Sequence, residues 1–79
     1  MSKRMTEEEK ILDNFFNNVK RLRKERGLSR RALAKRAGIS HYTIINIELK
    51  RAGIPSLVTI FKVARAFNLT IDEIISEDL

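Results

Sequence analysis

Nine basic side chains fall between Lys20 and Arg36 (Lys20, Arg21, Arg23, Lys24, Arg26, Arg30, Arg31, Lys35 and Arg36) against a single acid, Glu25. Guanidinium and ammonium groups gathered in this way can neutralise phosphates. The opposite sign collects at the other end, where Asp72, Glu73, Glu77 and Asp78 follow Thr70 with no base among them. A net charge of +6 on 79 residues, divided like this, points to one face for a polyanion and one end kept away from it. A solvated basic face without a partner is the plainer alternative. Catalysis finds little to work with. The lone His41 has no carboxylate or thiol partner in the sequence, and no glycine-rich phosphate loop or metal motif is present. The absence of cysteine excludes a disulfide framework and a thiolate metal site. The chain reads as a binding protein, not an enzyme, with no cofactor.

The elements that must carry these residues are short. Ser29 is a good N-cap, and Arg30 to Ala37 is rich in helix formers, with Leu33, Ala34 and Ala37 on one face. Gly38 ends such a helix, since glycine enters the left-handed conformation without steric cost. Two residues later Ser40 caps a second helix, His41 to Leu49, whose apolar face is Ile44 and Ile47 with Ile39 and Leu49 at the margins. Ala34 and Ala37 keep the first helix slim where the second crosses it. Two short helices joined by a tight glycine turn are the layout of a helix-turn-helix, here residues 29–49.

This run resembles the lambda-repressor-like, or XRE-type, DNA-binding domain, whose pattern is roughly R-x-x-x-G-L-[ST]-x-x-x-L-A-x-x-x-G-[IV]-S-x-x-x-[IV]-x-x-[IL]-E. The chain has Arg23, Gly27, Leu28, Ser29, Leu33, Ala34, Gly38, Ile39, Ser40, Ile44, Ile47 and Glu48 at that spacing, and the resemblance extends from about Phe15 to Ile75. By position it implies that His41, Tyr42 and Asn46 read base edges in the major groove, with Thr43 and Ile45 flanking them. Asn46 offers a donor and an acceptor together, matching adenine N6 and N7. His41 can donate to guanine or to a phosphate, Tyr42 can bond a phosphate instead of a base, and Ile45 can touch a thymine methyl. The resemblance further implies phosphate contacts from Arg30, Arg31 and Ser40, and from Lys50 and Arg51 in the following loop. Arg30 stands where many relatives have glutamine, which adds charge to a backbone contact. Arg23 and Glu48 are implied to form a partly buried ion pair, structural in role.

Around this centre the chain takes a simple course. Thr6 with Glu9 is a capping box opening a long helix that stops at Gly27, with Ile11, Leu12, Phe15, Phe16, Val19 and Leu22 on a broad apolar stripe. Relatives start this helix near Phe15, so Thr6 to Asn14 is an extension. Phe16, where relatives carry a small residue, covers either the domain's own core or a partner's. Lys50 occupies a position where relatives commonly place glycine, and the loop through Pro55 is one residue longer than theirs. Ser56 caps the next helix, with Leu57, Ile60, Phe61, Ala64 and Phe67 at helical spacing. Asn68 is a left-handed stop, and a second capping box, Thr70 with Glu73, opens a short last helix with Ile71, Ile74 and Ile75 inward. The expectation is all-α: a compact five-helix lambda-repressor-like bundle with an N-terminally extended first helix. Residues 1–10 form a partly disordered tail and helix start, and 11–79 form one domain.

A chain this short buries only ~60% of its unfolded surface and has room for one core. No apolar run approaches the ~18 residues of a membrane span, and Met1 to Lys10 is too charged for a secretory signal, so a cytoplasmic protein is expected. The expected partner is double-stranded DNA bearing a two-fold operator, read by a homodimer, because one short helix reads too few base pairs for specificity among ~10⁶ or more competing sites. Size places the dimer surface on the last helix, the loop before it or the N-terminal extension. The alternative is a protein-interaction module of the same fold, such as an antitoxin or a regulator held by an antagonist. The polar His41, Tyr42 and Asn46 favour bases over a protein groove. RNA is less well supported, with no aromatic platform in the sequence.

Overall fold

Hydroxyl caps decide where every helix begins. Thr6, Ser29, Ser40, Ser56 and Thr70 each accept a backbone N–H from the turn that follows, which satisfies one of the donors a helix start leaves without a partner. The computed structural model describes residues 4–79 and contains α1 (Glu7–Glu25), α2 (Arg30–Ala37), α3 (His41–Glu48), α4 (Leu57–Ala66) and α5 (Ile71–Ile74), with no strand among the described residues. Both capping boxes close reciprocally: Glu9 N donates to Thr6 Oγ1 at 3.1 Å while Thr6 N donates to Glu9 Oε1 at 3.0 Å, and Thr70 and Glu73 repeat the arrangement. Of the expected N-terminal tail, residues 1–3 lie outside the described residues, and Arg4–Thr6 precede α1 without helical structure.

The ends of α1 to α4 share one device. Leu28 N bonds to Arg23 O, Ile39 N to Ala34 O, Arg51 N to Asn46 O and Leu69 N to Ala64 O, at 2.7–3.0 Å. Each such closure needs a left-handed residue just before its donor. Gly27, Gly38 and Asn68 supply three of them; the fourth is Lys50, at φ 58°. A lysine there carries a Cβ where glycine has none and costs about 1–2 kcal/mol. The turn after α3 keeps the backbone path that glycine would favour, with a charged side chain in place of a hydrogen.

The core gathers one face from each helix: Phe15 and Val19, Leu33, Ile44 and Ile47, Val63, Ala64 and Phe67, and Ile74 are all essentially inaccessible. Helix α2 packs on α3 and α4, while α1 packs on α3 and α5. Phe16 is buried in this same core, so it covers the domain's own interior. Two expectations need correction. The apolar stripe of α1 starts at Leu12 rather than Ile11, which is exposed. On α4 the inward face is Ile60, Val63, Ala64 and Phe67, and Leu57 and Phe61 point to solvent. The physical reason is that Leu57–Phe67 is apolar around more than half the helix circumference, so periodicity alone cannot choose which half the core takes. In α5, Ile74 is buried while Ile71 and Ile75 are half-buried.

Helix α5 is too short to satisfy its own terminal carbonyls, and α1 does so for it. Asn18, itself buried, donates to Ile74 O at 2.8 Å and Ser76 O at 2.9 Å, and Asn14 one turn earlier donates to Ile75 O at 3.1 Å. Arg26 does similar work on α4, donating to Phe67 O at 3.1 Å with its guanidinium 5.2 Å from the Phe67 ring centroid. Replacing Asn18 by Ala leaves two carbonyls without their amide donor and is expected to cost about 1–3 kcal/mol. The checks are the denaturant midpoint and hydrogen exchange, in which the amides of residues 74–76 should lose protection before those of α3.

Candidate nucleic-acid interface

One carboxylate sits where the first three helices meet. The Glu48 side chain, at the C-terminal end of α3, is wholly inaccessible and accepts from two arginines. Arg23 of α1 grips it bidentately, Nε to Oε2 at 2.5 Å and Nη2 to Oε1 at 2.9 Å, and turns its remaining nitrogen, Nη1, to Leu28 O at 2.8 Å. Arg30, in the first turn of α2, places Nε 3.1 Å from Oε1. Burial by itself pushes the Glu48 carboxyl up, but the hydrogen bonds and charges of Arg23 and Arg30 together outweigh it and hold the group below the usual glutamate range. The bond to Glu48 likewise pushes the Arg23 guanidinium up.

Arg30 in this cluster was not foreseen from the sequence. A signal did exist: the first turn of α2 is the positive end of a helix dipole, and it carries Arg30 and Arg31 with no acid of its own. Such a turn calls for a carboxylate from elsewhere. With Nε engaged, Arg30 keeps the far end of its guanidinium for another acceptor. Arg31 is exposed beside it.

The outer face of α3 is polar. Tyr42 is 75% exposed and Asn46, one turn on, is exposed as well, whereas His41, Thr43 and Ile45 are half-buried beside them. Ile44 and Ile47 face the core and fix the rotation of the helix, so the Tyr42–Asn46 edge faces outward. The His41 and Tyr42 rings lie 6.0 Å apart between centroids. Ser40 Oγ accepts from Tyr42 N at 3.1 Å, which leaves its hydroxyl proton free to donate outward. Beside α3 runs a shallow groove lined by Thr43, Asn46, Ile54, Pro55, Ser56 and Thr59. Arg51 is exposed in the loop after α3. Lys50 is exposed too, but its Nζ is 2.6 Å from Asp13 Oδ1 on the extended part of α1, so an internal acid already faces the cation assigned to phosphate. Among the described residues no group of His, Cys, Asp and Glu side chains is arranged to hold a metal ion.

A polar helix edge flanked by cations, set on two helices locked at a fixed angle by a buried carboxylate, can present hydrogen bonds to base edges and charge to phosphates at once. The profile of the helix-turn-helix family matches residues 19–74, which takes in the C-terminal turns of α1 and the whole of α2, α3, α4 and α5. The chain belongs to the lambda-repressor-like, XRE-type helix-turn-helix family. No curated protein and no solved structure gives a match. The family is a DNA-binding one, and the part of α1 that precedes the matched region is the stretch that contributes Asp13 and Phe16 here. No described helix is long and apolar enough to cross a membrane.

The Glu48 cluster makes the stability of this helix-turn-helix dependent on acid in a defined direction. A carboxyl held below its ordinary value stabilises the fold fully above the unfolded-state value of about 4.3, and that contribution is lost as pH falls through the depressed folded value. Glu48→Ala at neutral pH is expected to cost about 3–5 kcal/mol, because it strands the partly buried Arg23 guanidinium. Glu48→Gln should differ most from the parent above about pH 5 and converge on it as the pH is lowered. Denaturant midpoints at a series of pH values provide the check; a loss below about 1 kcal/mol for Glu48→Ala would mean that the pair behaves as a surface bridge.

Proposed function

We propose that this protein is a cytoplasmic, sequence-specific, duplex-DNA-binding transcriptional regulator of the repressor type, acting as a homodimer on a two-fold operator. The observation that carries the proposal is the outward Tyr42–Asn46 edge of α3, with Arg31 exposed on α2 and Arg51 exposed in the loop that follows α3. In this reading α3 enters the major groove. Asn46 bonds an adenine, His41 and Tyr42 contact a base edge or the adjacent phosphate, and Thr43 and Ile45 shape the contact at its margin. Arg31, the free end of Arg30, the Ser40 hydroxyl and Arg51 hold phosphates, and Lys50 joins them on release from Asp13. Half-sites lie about 10 base pairs apart, centre to centre.

Selection of bound sequences from random duplex DNA, followed by titration of the recovered site and of an unrelated duplex, tests the proposal. Asn46→Ala should cost about 1–3 kcal/mol on the recovered site, little on the unrelated duplex, and relax the preference at one position of each half-site. Arg31→Ala should weaken both duplexes about equally and reduce the slope of log K against log salt by about 0.9 per bound protomer. Arg31 suits this test because its exposure separates loss of a phosphate contact from loss of stability. If Arg31→Ala shifts the sequence preference while Asn46→Ala leaves it intact, α2 and α3 have exchanged the assigned roles.

A further inference from the structure

The last turn of α2 and one side of α4 border an open groove of about 770 Å³. Four exposed cations line it, Lys35 and Arg36 on α2 and Lys62 and Arg65 on α4. None of the four has an ion-pair partner among the described residues. The rest of the lining is largely apolar: Val58 is 60% exposed and Phe61 49%, with the small Ala37 and Ala66 deeper in. Phe61 and Arg65 also line a shallower depression with Leu69 and Ile71, so the apolar surface continues towards α5. Lys35, Arg36 and Arg65 fall in last helical turns, where a cation suits the helix dipole. The dipole does not account for Lys62, in the middle of α4, nor for a half-exposed aromatic ring among the charges. No residue assigned to DNA above lines this groove.

We propose that this α2–α4 groove docks an acidic, amphipathic segment of another protein, a large apolar side chain of the segment lying against Val58 and Phe61 while its carboxylates reach the four cations. Charge and hydropathy together select this occupant. Four unpaired cations around one groove repel one another, and carboxylates brought among them relieve that repulsion. Arg36 and Arg65 can take a carboxylate bidentately, and Lys35 and Lys62 can act as point charges. The Val58–Phe61 surface calls for an apolar partner, which a sugar–phosphate backbone lacks. One ring beside aliphatic groups is also a poor stacking platform for bases. A second copy docked groove to groove about a two-fold axis would set these cations against their own duplicates. The acidic C-terminal run of another copy is not free to enter either. Ile74 is in its own core, Leu79 packs against that core, and Leu79 O accepts from Arg21. A foreign segment with acids along one side and a leucine- or phenylalanine-like anchor on the other meets both demands, in the manner of a helix laid in a groove.

The probe is a library of random dodecapeptides displayed on phage and selected against the full chain, the recovered sequences then being titrated as free, labelled peptides. Peptides carrying several acids and at least one leucine, isoleucine or aromatic residue are expected. Phe61→Ser and Lys62→Glu each remove one kind of contact at an exposed position, so the helical circular dichroism should stay unchanged. Each should weaken the recovered peptides by at least about tenfold. Lys24→Glu changes the net charge as Lys62→Glu does, but on the exposed side of α1, and at physiological salt it should leave most of the affinity in place. Towards an unrelated duplex and a single-stranded oligonucleotide, Phe61→Ser and Lys62→Glu should bind no more weakly than Lys24→Glu. A selection that recovers no peptide, peptides without acids, or peptides weakened as much by Lys24→Glu as by the groove variants overturns the proposal. Groove variants that lose nucleic acid as steeply as peptide overturn it too and assign the groove to nucleic acid. None of these outcomes depends on which sequence α3 reads.

Discussion

A single buried carboxylate holds the helix-turn-helix to its scaffold. Glu48 ends α3, Arg23 lies towards the end of α1 and Arg30 opens α2, and their bonds meet at two oxygen atoms. Such a cluster is a poor source of net stability, since three charged groups leave water to form it. Its value is geometric. Planar guanidinium groups accept a narrow range of angles around a carboxylate, so the relation of α2 to α3, and of both to α1, is fixed more tightly than apolar packing alone would fix it. The Tyr42–Asn46 edge inherits that rigidity. The cluster also carries one more positive charge than negative, and the unmatched charge lies at the Arg30 end, towards the start of α2.

What could be read from the sequence and what could not divide along a physical line. Helix limits were legible because their causes are local: Thr6, Ser29, Ser40, Ser56 and Thr70 satisfy amides two or three residues away, and Gly38 and Asn68 end helices through their own backbone conformation. Faces were legible where the helix is apolar on one side, as in α2 and α3. They were not in α4, where apolar residues surround most of the axis and the direction of the core is set by α2 and α5. Polar links across the fold were the least legible. Nothing near Asn18 in the chain announces that its amide faces carbonyls 56 and 58 residues away, and Arg30 looks free until α3 is placed beside it. The Arg23–Glu48 pair was anticipated only because the resemblance brought it.

Lys50 shows how a departure from the family pattern is accommodated. The position requires a left-handed backbone whatever the residue, because the Arg51 N–H must reach Asn46 O to close α3. Lysine meets that requirement at a conformational cost, and its side chain is held by Asp13. Asp13 in turn lies on the extended first helix, upstream of the region the family profile matches. The extension therefore has a contact with the loop next to α3, and the two departures from the pattern are connected through one ion pair.

The dependence of α5 on α1 has a consequence for the order of assembly. A four-residue helix cannot nucleate by itself, since one turn fixes several dihedral angles for a single hydrogen bond. The carbonyls of Ile74, Ile75 and Ser76 find their side-chain donors on Asn14 and Asn18, near the opposite end of the chain, and the loop that must close to join them spans nearly the whole domain. The closure entropy of so long a loop is met only once α1 to α4 have already shortened the distance between its ends. The last helix is thus a latch, fastened after the helix-turn-helix has formed and the first to come undone.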